Sequence, residues 1–151
     1  MRPLLSSVTV DLPRQQVFEF LDVLANHVTF TDHFLVDWTF SGPAAGVGAA
    51  ARLRPALPGP PAWTELRVLE SEAPVRTVEE TTSAGGRRRN RGTYRLTEDG
   101  DRTLVEFSLE QVVMPPLDRL TAPLTRRWLQ RGNDRAMARL AEVIASKRRT
   151  G

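Results

Sequence analysis

Gly92-Thr93-Tyr94-Arg95-Leu96-Thr97-Glu98-Asp99-Gly100-Asp101-Arg102-Thr103-Leu104-Val105-Glu106-Phe107 is where the chain shows its architecture most plainly. On both sides of Asp99-Gly100 the residues alternate in character with a period of two, the spacing of a strand with one face covered. Asp-Gly is a strong two-residue hairpin signal, because both positions tolerate the positive φ angles of the turn. With Asp99-Gly100 as the loop, Glu98 faces Asp101, Leu96 faces Thr103, Tyr94 faces Val105 and Gly92 faces Phe107.

The same reasoning runs upstream. Gly85-Gly86 as a loop sets Gly92 opposite Glu79 and Tyr94 opposite Thr77. A four-residue turn at Ser71-Glu72-Ala73-Pro74 sets Val68 opposite Thr77 and Leu66 opposite Glu79. All three turns place Leu66, Val68, Thr77, Glu79, Gly92, Tyr94, Val105, Phe107 and Leu109 on one face. The other face carries Glu65, Arg67, Arg76, Glu80, Arg91, Arg95 and Glu106, with Glu80 opposite Arg91, as a solvated sheet face should. Glu79 breaks the pattern. A buried carboxylate without a partner is expensive, so it has a partner, meets water or a ligand beside Gly92, or points outward at a bulge.

Flanking elements complete the pattern. Leu4 to Leu12 reads as a strand, followed by a helix over Arg14–Leu24 that starts behind Pro13 with Asp11 near enough to cap it. A second short helix runs from about Asn26 to His33. Val36, Trp38 and Phe40 alternate as a strand, Gly46–Arg54 is another, and 55–61 is a proline-dense loop. Four strands follow, at Ala62–Glu70, Val75–Ser83, Arg88–Thr97 and Arg102–Val112. From Leu117 to about Lys147 the chain is helical, with Pro123 starting or kinking the helix. Leu117, Leu120, Leu124, Trp128, Gly132, Ala136, Leu140 and Val143 recur at spacings of three and four as an inward stripe. Arg127, Arg131, Arg135 and Arg139 read as a solvated ridge opposite, and Lys147, Arg148 and Arg149 as a short basic tail. A long helix laid across a curved sheet leaves a gap at one end, and such gaps are apolar cavities with a few polar groups.

Composition narrows the function. The chain has 151 residues, 40% hydrophobic and 26% charged, with a formal charge of +3. This fits one domain with a sizeable core, residues 1–151. The pI of 10.4 reflects arginine in place of lysine, Lys147 being the sole lysine. No cysteine is present, which excludes disulfides, thiolate metal sites and a cysteine nucleophile. Ser6, Ser7, Thr9 and Asp11 interrupt any apolar N-terminal run, and no stretch approaches a bilayer span. The expectation is a soluble cytoplasmic protein without membrane insertion, a monomer or homodimer.

The order of strand, two short helices, six strands and long helix is carried at its start by Leu12-Pro13-Arg14-Gln15-Gln16-Val17-Phe18. Gly46-Val47-Gly48, Gly92-Thr93-Tyr94-Arg95-Leu96 with Asp99-Gly100, and Thr103-Leu104-Val105-Glu106-Phe107 continue it. In this the chain resembles the START-like (SRPBCC) superfamily, and within it the polyketide cyclase/dehydrase-like branch. The resemblance covers nearly the whole chain and implies an α+β helix-grip fold, with about seven antiparallel strands curved around the C-terminal helix and two short helices between strands 1 and 2. It also implies a deep ligand cavity. Its motifs are fold motifs and name no substrate.

Few residues carry chemistry. His27 and His33 stand six apart, off one helical face and without a third ligand at metal spacing, so no metal and no cofactor is expected. They read as surface or capping residues, with His33 the one that could border the cavity mouth. Arg87-Arg88-Arg89-Asn90-Arg91 lacks the interleaved aromatics of a single-strand binder and reads as a solvated hairpin, so no nucleic-acid partner is expected. The expected ligand-binding residues are Phe34, Trp38, Phe40, Leu66, Val68, Thr77, Glu79, Gly92, Tyr94, Phe107, Leu109, Leu124 and Trp128. The two catalytic candidates are Glu79 as acid or base and Tyr94 as a carbonyl-polarising donor. Three functions stay open. Apolar cavity walls favour a binder or carrier of a small apolar or aromatic molecule or lipid. Several buried ionisable groups favour a polyketide cyclase-like enzyme. An exposed apolar patch favours an interaction module.

Overall fold

Antiparallel pairing runs without interruption through β1 (Leu4–Val10), β7 (Arg102–Val113), β6 (Arg88–Asp99), β5 (Arg76–Ser83), β4 (Thr64–Glu72), β3 (Ala50–Pro55) and β2 (Leu35–Ser41), in that spatial order. The computed structural model describes residues 2–150, without the side chains of 148–150, so the side chains of Arg148 and Arg149 in the basic tail lie outside what is described. Between β1 and β2 come α1 (Arg14–Asp22), a 3-10 turn (Leu24–His27) and the single turn α2 (Val28–Thr31). The long helix α3 (Asp118–Thr150) closes the chain. This is the helix-grip architecture, a seven-stranded curved sheet around a C-terminal helix.

The hairpins form where the Gly-rich dipeptides stand, but two registers differ from expectation by two residues. Asp99 pairs with Arg102 and Tyr94 with Phe107. The loop is therefore Gly100-Asp101, with Gly100 at a φ of 63°. Val68 pairs with Glu79, and a bulge at Leu69 then brings Glu70 opposite Val78. Glu79 opposite Gly92 and Tyr94 opposite Thr77 stand as expected, although four residues rather than two connect Ser83 to Arg88. A slip of two leaves every side chain on its original face. Leu66, Val68, Tyr94, Val105 and Phe107 are accordingly all buried. On the outer face Glu80 lies 3.4 Å from Arg91 and 3.8 Å from Arg89.

Smaller corrections have local causes. α1 ends at Asp22 because Val23 turns extended, at φ −86° and ψ 106°, and bridges to Ala45. Pro13 itself is the N-terminal flanking residue and no side chain caps it; Asp11 reaches Arg102 instead, at 3.9 Å. Asp37 takes a φ of 58° at a bulge in β2, held by a 2.6 Å ion pair to Arg54. The bulge ends the alternation, and Phe40 emerges 42% exposed.

The core is continuous from Val17, Phe18 and Leu21 of α1 through Tyr94, Leu96, Val105 and Phe107 to Ala136, Met137, Leu140 and Ile144 of α3. Only the C-terminal half of the expected helix stripe faces it. Leu117, Leu120 and Leu124 are 78%, 82% and 70% exposed, and Ala122 is the residue turned inward at that end. A step of four residues advances about 400° around a helix. The stripe from Leu124 through Trp128 and Gly132 to Ala136 therefore rotates by about a third of a turn, and both of its ends cannot face the sheet.

Candidate functional site

Followed along β6 and β7 toward the start of α3, the inner face changes character. Tyr94 and Phe107 give way to Gly92 and Leu109, and then to the pair Asn90 and Gln111. Beyond that pair the first turns of α3 stand away from the sheet and leave a cleft of about 250 Å³. Leu57, Val113, Met114, Ala122, Trp128 and Leu129 give it mostly apolar walls, and Thr64, Ser83, Asn90, Gln111, Thr121 and Thr125 supply the polar groups. Arg88 and Asp118 also border it. Arg88 donates to both carboxylate oxygens of Asp118, at 2.7 and 3.1 Å, and to Ser83 Oγ at 3.1 Å. That fork ties the β5–β6 hairpin to the helix start and balances its own charge.

Deeper in, a second group of polar side chains gathers at Gly92. A Cβ there would lie 3.0 Å from the Phe107 ring and 3.1 Å from Glu79 Oε1, so the missing side chain makes room for the carboxyl. Although part of Glu79 stays accessible, burial pushes its pKa up to about 7. Tyr94, its ring 4.5 Å from Phe107, is raised well above the usual phenol value by burial and then by the charge of Glu79. His27 meets Tyr94 edge-on at 5.4 Å. Its Nε2 donates to the Leu21 carbonyl at 2.7 Å, which fixes the tautomer and leaves Nδ1 as the acceptor. Burial lowers the His27 pKa to about 4, against the opposing effects of the Leu21 bond and Asp22. His27, Thr77 and Glu79 share a crevice of about 10 Å³, room for roughly one water.

The other expected residues are spread over the interior. Trp128 lines the cleft, and Phe34 meets it edge-on from behind at 5.6 Å. Leu66 and Val68 sit in a separate apolar cluster against Trp38, and Leu109 packs on the main core. Phe40 borders a different groove, with Leu24 and Pro43. Leu124 points to solvent and reaches neither space. His33 does not border the mouth: its Nε2 donates to the Gly132 carbonyl at 2.9 Å and its Nδ1 accepts from Arg139 at 2.8 Å. Burial lowers its pKa, and Arg139 and Arg135 push in the same direction. His27, expected at the surface, is 4% exposed. Asn90 and Gln111 continue the period-two pattern of the inner face and could have been found from it. The arginines around Asn90 made that stretch read as solvent-facing instead. Among the described residues no three His, Cys, Asp or Glu side chains gather where they could hold a metal ion, and no helix is long and apolar enough to cross a membrane.

Comparison with known proteins adds a family and a set of shapes. The family model described as polyketide cyclase / dehydrase and lipid transport matches residues 4–145. No curated protein matches the chain by sequence. Among solved structures, TTHA0849 from Thermus thermophilus superposes with a TM-score of 0.73 at 17% identity, covering 95% of this chain and 98% of that one. Norcoclaurine synthase from Thalictrum flavum gives 0.73 at 14%, covering 95% and 92%. DynU16, from the dynemicin biosynthetic locus, gives 0.67 at 16%, covering 97% of this chain and 48% of that one. At such identities the likeness is one of fold.

Proposed function

The chain belongs to the polyketide cyclase / dehydrase and lipid transport family, and from that premise we propose that it binds a small apolar or aromatic molecule in the cleft between α3 and the open end of the sheet. The observation that carries this reading is the cleft itself, about 250 Å³ with mostly apolar walls and a few amide and hydroxyl groups. Binding pockets have this make-up: apolar surface supplies affinity and a few polar groups set orientation. The volume suits a molecule of one or two rings. Because Arg88 and Asp118 satisfy each other, a neutral ligand fits better than an ion. In this reading the whole chain is one cytoplasmic ligand-binding domain that needs no nucleic acid. Of the residues singled out by sequence, Trp128 is wall and Phe34 the support behind it.

Native mass spectrometry of the purified protein, with extraction of whatever denaturation releases, tests the reading directly. A titration with the neutral fluorophore N-phenyl-1-naphthylamine complements it. Saturable binding is expected, weakened about tenfold by Trp128→Ala, the equivalent of ~1.4 kcal/mol. No co-purified molecule together with no saturable uptake would sink the idea.

The cluster of Glu79, Tyr94 and His27 supports a second reading, a polyketide cyclase-like enzyme. A carboxyl titrating at about 7 is poised as a general base near neutrality. It would take an α-proton from a poly-β-ketone while the Tyr94 hydroxyl donates to the developing enolate oxygen. The crevice beside Glu79 is far smaller than such a substrate, so this reading needs the interior to open from the cleft inward. For that reason it ranks second.

A further inference from the structure

We propose that the outer face of α3 docks the protein on an anionic lipid surface, with the cleft on the other side of the same helix turns. Leu120 and Leu124 are 82% and 70% exposed, and Leu117 just before the helix is 78% exposed. Leu120, Leu124, Arg127, Arg131 and Arg135 follow one another at spacings of three and four, so these five fall within about 80° of the helix circumference. The three arginines are exposed. The face therefore reads as an apolar tip continued by a basic ridge over about 22 Å.

That sequence of side chains fits a bilayer better than another protein copy. With the helix tilted so that its first turns enter, the leucines reach past the headgroups into the acyl boundary while the arginines farther along the same stripe meet phosphates at headgroup level. A second copy packed in parallel would set arginine against arginine. Packed antiparallel, it would set Leu117 against Arg135. The one acidic residue bordering this face over the same span, Asp134, is occupied by Ser6 and Gln130 at 2.7 and 2.9 Å. Position adds a reason: Asp118, Thr121 and Ala122, interleaved with the leucines, line the cleft. Docking through this tip would leave the helix-side wall of the cleft on the adjoining side of the same turns, within one helix diameter of the lipid. The docking surface goes beyond the ligand reading and does not depend on it.

Flotation with vesicles of equal parts phosphatidylcholine and phosphatidylglycerol, no cleft ligand added, is the experiment. The wild type should float with these vesicles, remain below with pure phosphatidylcholine, and dissociate as salt rises. Leu120→Glu with Leu124→Glu should weaken binding by at least about tenfold, since each leucine loses its apolar burial. Arg127→Glu with Arg131→Glu should weaken it by more than about fivefold per arginine. All four positions are solvent-facing, and unchanged thermal unfolding will show that the variants fold. Failure of the wild type to float overturns the proposal. So does equal flotation of the leucine variant, which would reduce the attraction to charge alone. A leucine-dependent dimer in sedimentation velocity without vesicle binding assigns the ridge to a second copy instead.

Discussion

At Glu79 the fold works against an ordinary ionisation, and the sign of the effect can be worked out. Its pKa rises from 4.5 to about 7 on burial, so the folded state holds the proton more tightly than the unfolded chain. The associated stability is complete below pH 4.5 and is lost as pH rises through about 7, a loss of ~3 kcal/mol from a shift of that size. His27 runs the other way. Its pKa falls from 6.5 to about 4, so its contribution is present above 6.5 and is lost as pH falls through about 4. Glu79→Gln should match wild-type stability near pH 4.5 and exceed it by ~3 kcal/mol at about pH 8, read from urea denaturation. A difference that stays flat with pH would place the carboxyl in water. The same variant, given a linear poly-β-ketone, should lose cyclised product if the enzymatic reading holds. An unaffected product yield would remove Glu79 from the chemistry.

Among the elements, α3 is two helices in energetic terms. Its C-terminal half buries Leu140 completely, whereas its first turns leave their leucines in solvent. Leu140→Ala should cost about 2–5 kcal/mol, while Leu120→Ala should stay within about 0.5 kcal/mol. Chemical denaturation of the two variants separates them, and equal losses would mean that the helix start packs on the sheet. The strands were legible because period-two patterning survives an even slip of register. Tyr94 was assigned the wrong partner, Val105 instead of Phe107, and still the right face. The helix was less legible because steps of four drift around it, and a stripe chosen for its apolar residues followed Leu124 out into solvent. The bulges at Asp37 and Leu69 left no mark in the pattern, and Phe40 went astray with the first. Of the candidate site, Glu79, Gly92 and Tyr94 could be read because a charge beside a glycine is conspicuous on an apolar face. Burial of His27 depends on a carbonyl of α1, which no local signal announces.

For the whole molecule, the long helix closes on the turn between α2 and β2 at one glycine. A Cβ on Gly132 would overlap Phe34 Cδ2 and stand 2.5 Å from Cε2, so α3 can lie this close only because the position lacks a side chain. The contact is locked from several sides. Phe34 stacks on His33 at 4.7 Å and meets Trp128 at 5.6 Å. His33 holds the Gly132 carbonyl, and Arg139 joins His33 to Asp32, at 2.6 Å, and to the Thr29 carbonyl. Helix propensity alone favours Gly132→Ala by about 1 kcal/mol. Overpacking against a ring that is itself buried costs about 1–3 kcal/mol, and the ring has nowhere to go without disturbing Trp128 at the cleft wall. The prediction is a net loss of stability in Gly132→Ala, accompanied by weaker uptake of the neutral fluorophore. Phe34→Leu introduced into that background should recover part of the stability, giving a favourable coupling in the double-mutant cycle. A stabilised Gly132→Ala would show propensity winning, and would mean that α3 can shift outward without disturbing the cleft.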